Sequence, residues 1–319
     1  MQKLNDQLGR EIDYLRISIT DRCNLRCRYC MPAEGVENKD HQDILSYEEI
    51  LKIVETGIKL GIKKVRITGG EPLVRLGVED FISDLNRLQL DDISMTSNAV
   101  LLSEKAQQLK KAGLDRINIS LDTLKPEKFK KITRRDNLAE VLNGISAALN
   151  AGLDPVKLNV VVMRGVNDDE LFDFVELSRK KNLSIRFIEY MPLGGEAEAE
   201  KFISTKEIKE LISEKYQLLP AVSKGSGPAV YFKIEGAAGK LGFISALSEH
   251  FCSSCNRLRL TADGKFKPCL ASNQEVKLAG INEKEIIAAY RQALKIKPAC
   301  HNLNFEQQDY SRNMSQIGG

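Results

Sequence analysis

The chain has no tryptophan, only three histidines, and aromatic residues make up 6% of its 319 positions. A module that grips single-stranded nucleic acid needs aromatic stacking platforms and a basic stripe. With 47 basic and 44 acidic residues the net charge is only +3, so bulk electrostatics supply no such stripe. Nucleic acid is therefore not an expected partner, and any cationic site must be local. Long apolar runs are missing too: none approaches the roughly 18 residues of a membrane-spanning helix. Met1 to Asp13 is polar with charges of both signs, without the apolar centre of a signal peptide. The expectation is a cytoplasmic chain with no membrane partner.

What is present is the balance of a protein with a sizeable core, 42% hydrophobic and 29% charged. Apolar periodicity alternates between two and 3.6, the sign of strands alternating with helices. Strand-like runs are Leu15 to Thr20, Lys64 to Thr68, Ile93 to Ser97, Arg116 to Leu121, Val156 to Val162 and Ser184 to Glu189. A Ser46-x-x-Glu49 capping box opens a helix with Ile50, Ile53, Val54 and Gly57 on one face and a stop at Gly61. These connections suit parallel β/α units.

Each strand also has a polar face. Arg16 and Ser18, Arg66, Thr96, Asn118 and Ser120, Lys157 and Asn159, and Arg186 alternate with apolar neighbours. A parallel sheet covered by helices on both sides is apolar on both. A curved sheet with helices outside and a ligand-filled lumen fits this alternation. The predicted fold is thus α/β, an incomplete (β/α)6 TIM-like barrel over residues 1–219. From about Pro220 the texture changes to short strands (Ala229 to Ile234, Leu241 to Ile244, Arg257 to Thr261) and a last helix near Glu283 to Leu294. Residues 220–319 are read as a C-terminal extension. The stretch from Pro192 to Lys201 reads as a surface excursion. The tail from Ser311 to Gly319 has no periodicity.

Six of the seven cysteines fall into two groups, Cys23-x3-Cys27-x2-Cys30 and Cys252-x2-Cys255 with Cys269; Cys300 stands outside both. In a reducing compartment such groups suggest metal and not disulfides. The first follows the first strand, at the end of a β/α barrel where active sites are built. Three thiolates can hold three irons of a [4Fe-4S] cube and leave the fourth open, or hold zinc with a distant fourth ligand. The second group admits the same two readings, with His250 or Cys300 completing a zinc site.

Cys23-x3-Cys27-x2-Cys30 with Tyr29 before the last cysteine, and Gly69-Gly70-Glu71-Pro72 after the second strand, resemble the radical S-adenosylmethionine (SAM) superfamily. Cys255-Asn256-Arg257-Leu258-Arg259-Leu260 and the terminal Gly318-Gly319 narrow the likeness to its GTP 3',8-cyclase family. The resemblance implies two [4Fe-4S] clusters, one on each cysteine group, the second in the C-terminal extension. The first would bind SAM and generate a 5'-deoxyadenosyl radical that removes hydrogen from C3' of GTP, after which C3' bonds to C8. The second would hold the guanine. Tyr29, Gly70, Ser120 and Met191 fall on SAM-binding positions. Arg16, Arg66, Thr96, Lys157, Arg257, Leu258 and Arg259 fall on GTP-binding positions, with Arg186 close by. Arg257, Arg259, Gly318 and Gly319 would serve catalysis. The resemblance also implies an electron donor such as flavodoxin or ferredoxin and a downstream pterin-forming enzyme, and it admits a homodimer. One departure is Ala99, which stands where the family usually has glycine. A radical SAM enzyme that modifies a peptide would usually carry more than three cysteines in its C-terminal part. Independently of family, Arg16, Arg66, Lys157 and Arg186 share the polar face, and guanidinium forks and an ammonium suit a triphosphate.

Overall fold

The computed structural model describes residues 3–37, 39–193, 197–225, 227–306 and 311–318. The expected strands form as β1 (Tyr14–Ser18), β2 (Lys64–Thr68), β3 (Asp92–Ser97), β4 (Arg116–Ser120), β5 (Val156–Val162) and β6 (Leu183–Glu189). The later strands are β7 (Leu219–Ala221), β8 (Val230–Lys233), β9 (Lys240–Ile244), β10 (Arg257–Leu260), β11 (Lys265–Lys267) and β12 (Val276–Lys277). All belong to one sheet in the order β12-β11-β10-β1-β2-β3-β4-β5-β6-β9-β8-β7. From β10 through β1–β6 to β9 every pairing is parallel, and antiparallel hairpins finish both ends.

The C-terminal strands are thus not a separate layer. A six-stranded parallel sheet leaves two rows of unpaired backbone groups, and β10 and β9 cover one each. Strands β7, β11 and β12 were not expected, since segments of two or three residues are too short to show a period. The tail also departs from its reading as structureless, because Met314–Ile317 forms one helical turn with an Asn313–Gln316 capping box.

The helix Tyr47–Lys59 begins as its sequence requires. Ser46 Oγ accepts from the Glu49 amide at 3.2 Å, and Glu49 accepts from the Ser46 amide at 2.8 Å. Its buried face includes Ile50, Ile53, Val54 and Gly57. Gly57 admits Tyr290 of the C-terminal helix Glu283–Lys295; a Cβ there would lie 2.5 Å from the phenol oxygen. Tyr290 donates to the Ile53 carbonyl at 3.1 Å, tying the extension to the first β/α unit.

After β3 the chain turns at Ala99, whose φ of +63° lies in the left-handed region. An alanine there carries a strain of roughly 1–2 kcal/mol that glycine would not. The turn keeps its place because Ala99 is fully buried against the helix Leu138–Asn150 at Gly144, where a Cβ would collide with the Ala99 carbonyl. Gly144→Ala is therefore expected to cost about 1–3 kcal/mol by overpacking. Urea unfolding of the metal-free chain measures it; an unchanged midpoint would show that the turn gives way freely.

Candidate active site

Strand register sets the cations in rows. Arg16 on β1 stands beside Arg259 on β10 and Arg66 on β2. Asn159 on β5 stands beside Ser120 on β4 and Arg186 on β6. One cavity is lined by Arg16, Arg66, Thr96, Asn159, Arg186, Met191, Arg257 and Arg259. Strands from distant parts of the sheet reach the same space, so the sheet curves about it. Arg66 meets Ser94 at 3.3 Å and Arg186 meets Asn118 at 2.6 Å. Among the described residues no carboxylate pairs with Arg66, Arg186, Arg257 or Arg259. Nε of Arg186 and of Arg259, Thr96 Oγ1 and Asn159 Oδ1 are buried without a hydrogen-bond partner. Burial holds Arg16 well below the usual arginine range, and Arg259 and Arg66 depress it further. Burial likewise brings Arg186 and Arg259 down to about 10. Such a surface favours an anion with several acceptor oxygens.

Cys252, Cys255 and Cys269 line the same cavity. Burial would push the Cys255 thiol up, but Arg257 and Lys297 bring it down to about 6, so it ionises readily for a metal. Lys297 Nζ lies 3.6 Å from Cys255 Sγ and donates at 2.8 Å to the carbonyls of Arg257 and Pro268. Arg10 donates to the carbonyls of Cys252 at 2.7 Å and Pro298 at 2.7 Å. Neither residue was singled out from sequence. Both lie far along the chain from the loop they hold, with no local signal.

The first cysteine group sits in the loop after β1. Burial raises Cys23 to about 11 and Cys30 to about 12, and holds Cys27 well above the thiol range. The thiols add to one another's shifts, so they are near neighbours. Cys23 Sγ accepts from the Leu25 amide at 3.4 Å, and Asn98 Nδ2 lies 3.8 Å from it. Three adjacent thiols receiving N–H groups are a donor set that fits an iron–sulfur cluster.

The Gly-Gly-Glu-Pro segment is stitched to this loop. The Gly70 amide donates to Thr20 O at 2.7 Å and the Glu71 amide to Arg22 O at 2.8 Å. Gly70 is a glycine because a Cβ would collide with the Arg22 carbonyl. The Glu71 carboxylate turns away to accept from Ser97 Oγ at 2.8 Å and the Asn98 amide at 2.6 Å. Tyr29 donates to Asp122 at 2.6 Å.

The cavity does not gather every expected residue. Tyr29, Gly70 and Ser120 are not among its lining residues. Leu258 is fully buried in the apolar core on the opposite face of β10 and does not line the cavity. Lys157 lies on the polar face but beneath the cavity, bonded to Lys224 O at 2.5 Å. Gly318 is buried against Thr68 and Ser18, and Met314 lines the cavity, so the tail lies over the ends of β1 and β2. Gly319 falls outside the described residues.

Family models match residues 17–178 as Radical SAM superfamily and residues 183–303 as Molybdenum Cofactor Synthesis C. The chain is 53% identical over 323 residues to a GTP 3',8-cyclase of Petrotoga mobilis, covering 98% of this chain and 99% of that one. It is 53% identical over 325 residues to a GTP 3',8-cyclase of Thermodesulfovibrio yellowstonii, covering 99% and 100%. Among solved structures it is similar in fold to Streptococcus suis SuiB bound to S-adenosylmethionine, with TM-score 0.58 and 15% identity over 82% of this chain and 60% of that one.

Lys157 yields a pH prediction. Burial, with Arg186, Arg116 and Arg66 adding repulsion, lowers its pKa from 10.5 to about 6. Between those values the unfolded chain binds a proton that the folded chain does not, so stability falls as pH is lowered through this window and levels off below about 6. Lys157→Met removes that slope. The variant's advantage in urea midpoint is expected to be larger at pH 7 than at pH 9; an equal difference at both would mean that the amine is charged in the fold.

Proposed function

The chain belongs to the GTP 3',8-cyclase family, and on that premise we propose how its residues divide the reaction. The enzyme is a radical SAM cyclase that converts GTP to (8S)-3',8-cyclo-7,8-dihydroguanosine 5'-triphosphate in molybdenum cofactor biosynthesis. The observation that carries the proposal is that the buried guanidinium groups of Arg66, Arg186 and Arg259, with no carboxylate partner among the described residues, share one cavity with a second three-cysteine group.

Cys23, Cys27 and Cys30 would hold a [4Fe-4S] cluster, which with SAM would supply the 5'-deoxyadenosyl radical that abstracts hydrogen from C3' of GTP. The loop after β1, the Gly70 backbone, Ser120 and Met191 form the SAM side. Tyr29 fixes that loop through Asp122. Arg16, Arg66, Arg186, Arg257 and Arg259 bind and orient the nucleotide, with Thr96 and the Leu258 backbone as neutral partners. Lys157 acts from beneath, holding the polar face together by its bond to Lys224. Cys252, Cys255 and Cys269 would hold a second [4Fe-4S] cluster on the side of the cavity where the guanine would sit.

The sheet works as an incomplete barrel. The division into 1–219 and 220–319 is one of task, since the sheet itself is continuous across it. No helix among the described residues is long and apolar enough to cross a membrane; the compartment proposed for the enzyme is the cytoplasm. A flavodoxin or ferredoxin would deliver the electron, and a pterin-forming enzyme would consume the product.

Anaerobically reconstituted protein is expected to hold about eight irons, two cubes of four. Cys27→Ser should abolish reductive SAM cleavage. Cys255→Ser should retain SAM cleavage, hold about four irons and form no cyclic nucleotide. Equal loss of both activities in the two variants would defeat the division of labour.

The tail adds a sharper test. Gly318 has φ +68°, and a Cβ on it would collide with Thr68 Cγ2. Gly318→Ala should displace the tail, leaving folding, iron content and GTP affinity unchanged while cyclisation falls by on the order of 10-fold or more, the effect of a misplaced positioning group. A fully active variant would assign the tail no part in turnover.

A further inference from the structure

Beyond this reading, the geometry points to a site for a single thiophilic divalent cation of the zinc class, held by His250, Cys252 and Cys300. Their ligand atoms lie within 4.8 Å of one another. Zinc bonds sulfur at about 2.3 Å and nitrogen at about 2.0–2.1 Å, which sets ligand-to-ligand edges of roughly 3.3–3.8 Å in a tetrahedron. Small side-chain rotations close the difference. Cys252 and Cys300 are both free thiols, so both sulfurs are open to a metal. The His250 and His301 rings meet edge to face with centroids 4.4 Å apart, which fixes the orientation of the His250 imidazole. His250 and Cys300 are exposed and Cys252 is half-buried, so an ion reaches the site from solvent.

Charge separates this site from the cysteine group that it overlaps. Cys255 faces the cations Arg257 and Lys297, which repel a free divalent ion but suit a cluster made anionic by its thiolates. Two imidazoles and an exposed thiol lie on the other side of Cys252, where the nearby Arg10 guanidinium is taken up by the backbone carbonyls of Cys252 and Ala299. Cys252 cannot serve both, so the ion and a second cluster exclude each other. That last step rests on the cluster assignment above. An ion in place would block cyclisation and leave SAM cleavage at the first group intact.

The test uses the full-length chain, iron-free, carrying Cys23→Ser, Cys27→Ser and Cys30→Ser so that the first group does not compete. Titration with Co2+ is expected to give one equivalent with the intense visible bands of tetrahedral thiolate–cobalt, displaced by Zn2+. Adding Cys300→Ser or His250→Ala should weaken binding by more than about 100-fold, beyond the 10–100-fold typical of outer-shell changes. Adding Cys269→Ser should leave it unchanged. Binding that survives Cys300→Ser, or that vanishes with Cys269→Ser, overturns the site. With the first group intact, Cys300→Ser should still take up about eight irons; a drop to about four in this variant alone would make Cys300 a cluster ligand and likewise overturn the site. About four irons in the unmodified chain would instead count against the second cluster, and the cobalt result would still decide the site.

Discussion

Burying like charges side by side is the least favourable arrangement in this fold, and most of its design follows from holding them there. Arg259, Arg16 and Arg66 stand in register on three adjacent strands, each less than a tenth exposed. Burial disfavours the charge on each, and Arg16 is repelled by both neighbours. The opposite face of the same strands offsets them: Leu15, Ile17, Val65, Ile67, Leu258 and Leu260 are fully buried against the helices. A site whose donors are already desolvated and fixed pays little further reorganisation when an anion arrives.

Parallel pairing then decides where chemistry is assembled. Because β1 to β6 run the same way, the cysteine loop, the Gly-Gly-Glu-Pro segment, the Ser97–Asn98 turn, Asp122 and Met191 all emerge at one edge. Hydrogen bonds join these loops in sequence around that edge. Gly70 and Glu71 bond to Thr20 and Arg22, Glu71 receives Ser97 and Asn98, and Asn98 reaches Cys23. Glu71 therefore ties neighbouring loops together, and the burial that lifts its pKa to about 7 is tolerated because three donors satisfy it.

The elements with a long period were legible in the sequence: the first six strands, their polar faces and the capped helix after the first cysteine loop. Arg16, Arg66 and Arg186 were placed on the polar face by alternation alone, because a period of two residues fixes which face a side chain takes. That same period puts Lys157 on the right face but says nothing of height along the strand, and it sits below the cavity. The partners of β9 and β10 were not legible, because pairing at a sheet edge depends on which backbone groups remain open and not on a local pattern. Met314–Ile317 was missed for a related reason: one turn contains no repeat.

The two cysteine groups show how equal spacing signals acquire opposite character. Around the first, burial raises the thiols, and Glu71 beside Cys23 and Asp122 beside Cys27 raise them further. Around the second, Arg257 and Lys297 lower Cys255 despite its burial. An acidic surround suits a ligand bearing an ammonium and a sulfonium, as SAM does, whereas a basic surround suits a triphosphate. Swapping the ligands would set like charge against like at both ends. The proposed order of SAM and nucleotide across the site is thus favoured also by Glu71, Asp122 and Lys297, which are assigned to neither ligand. Lys297 contributes from a position 42 residues beyond the cysteine that it tunes, which is why spacing motifs alone leave the two groups indistinguishable.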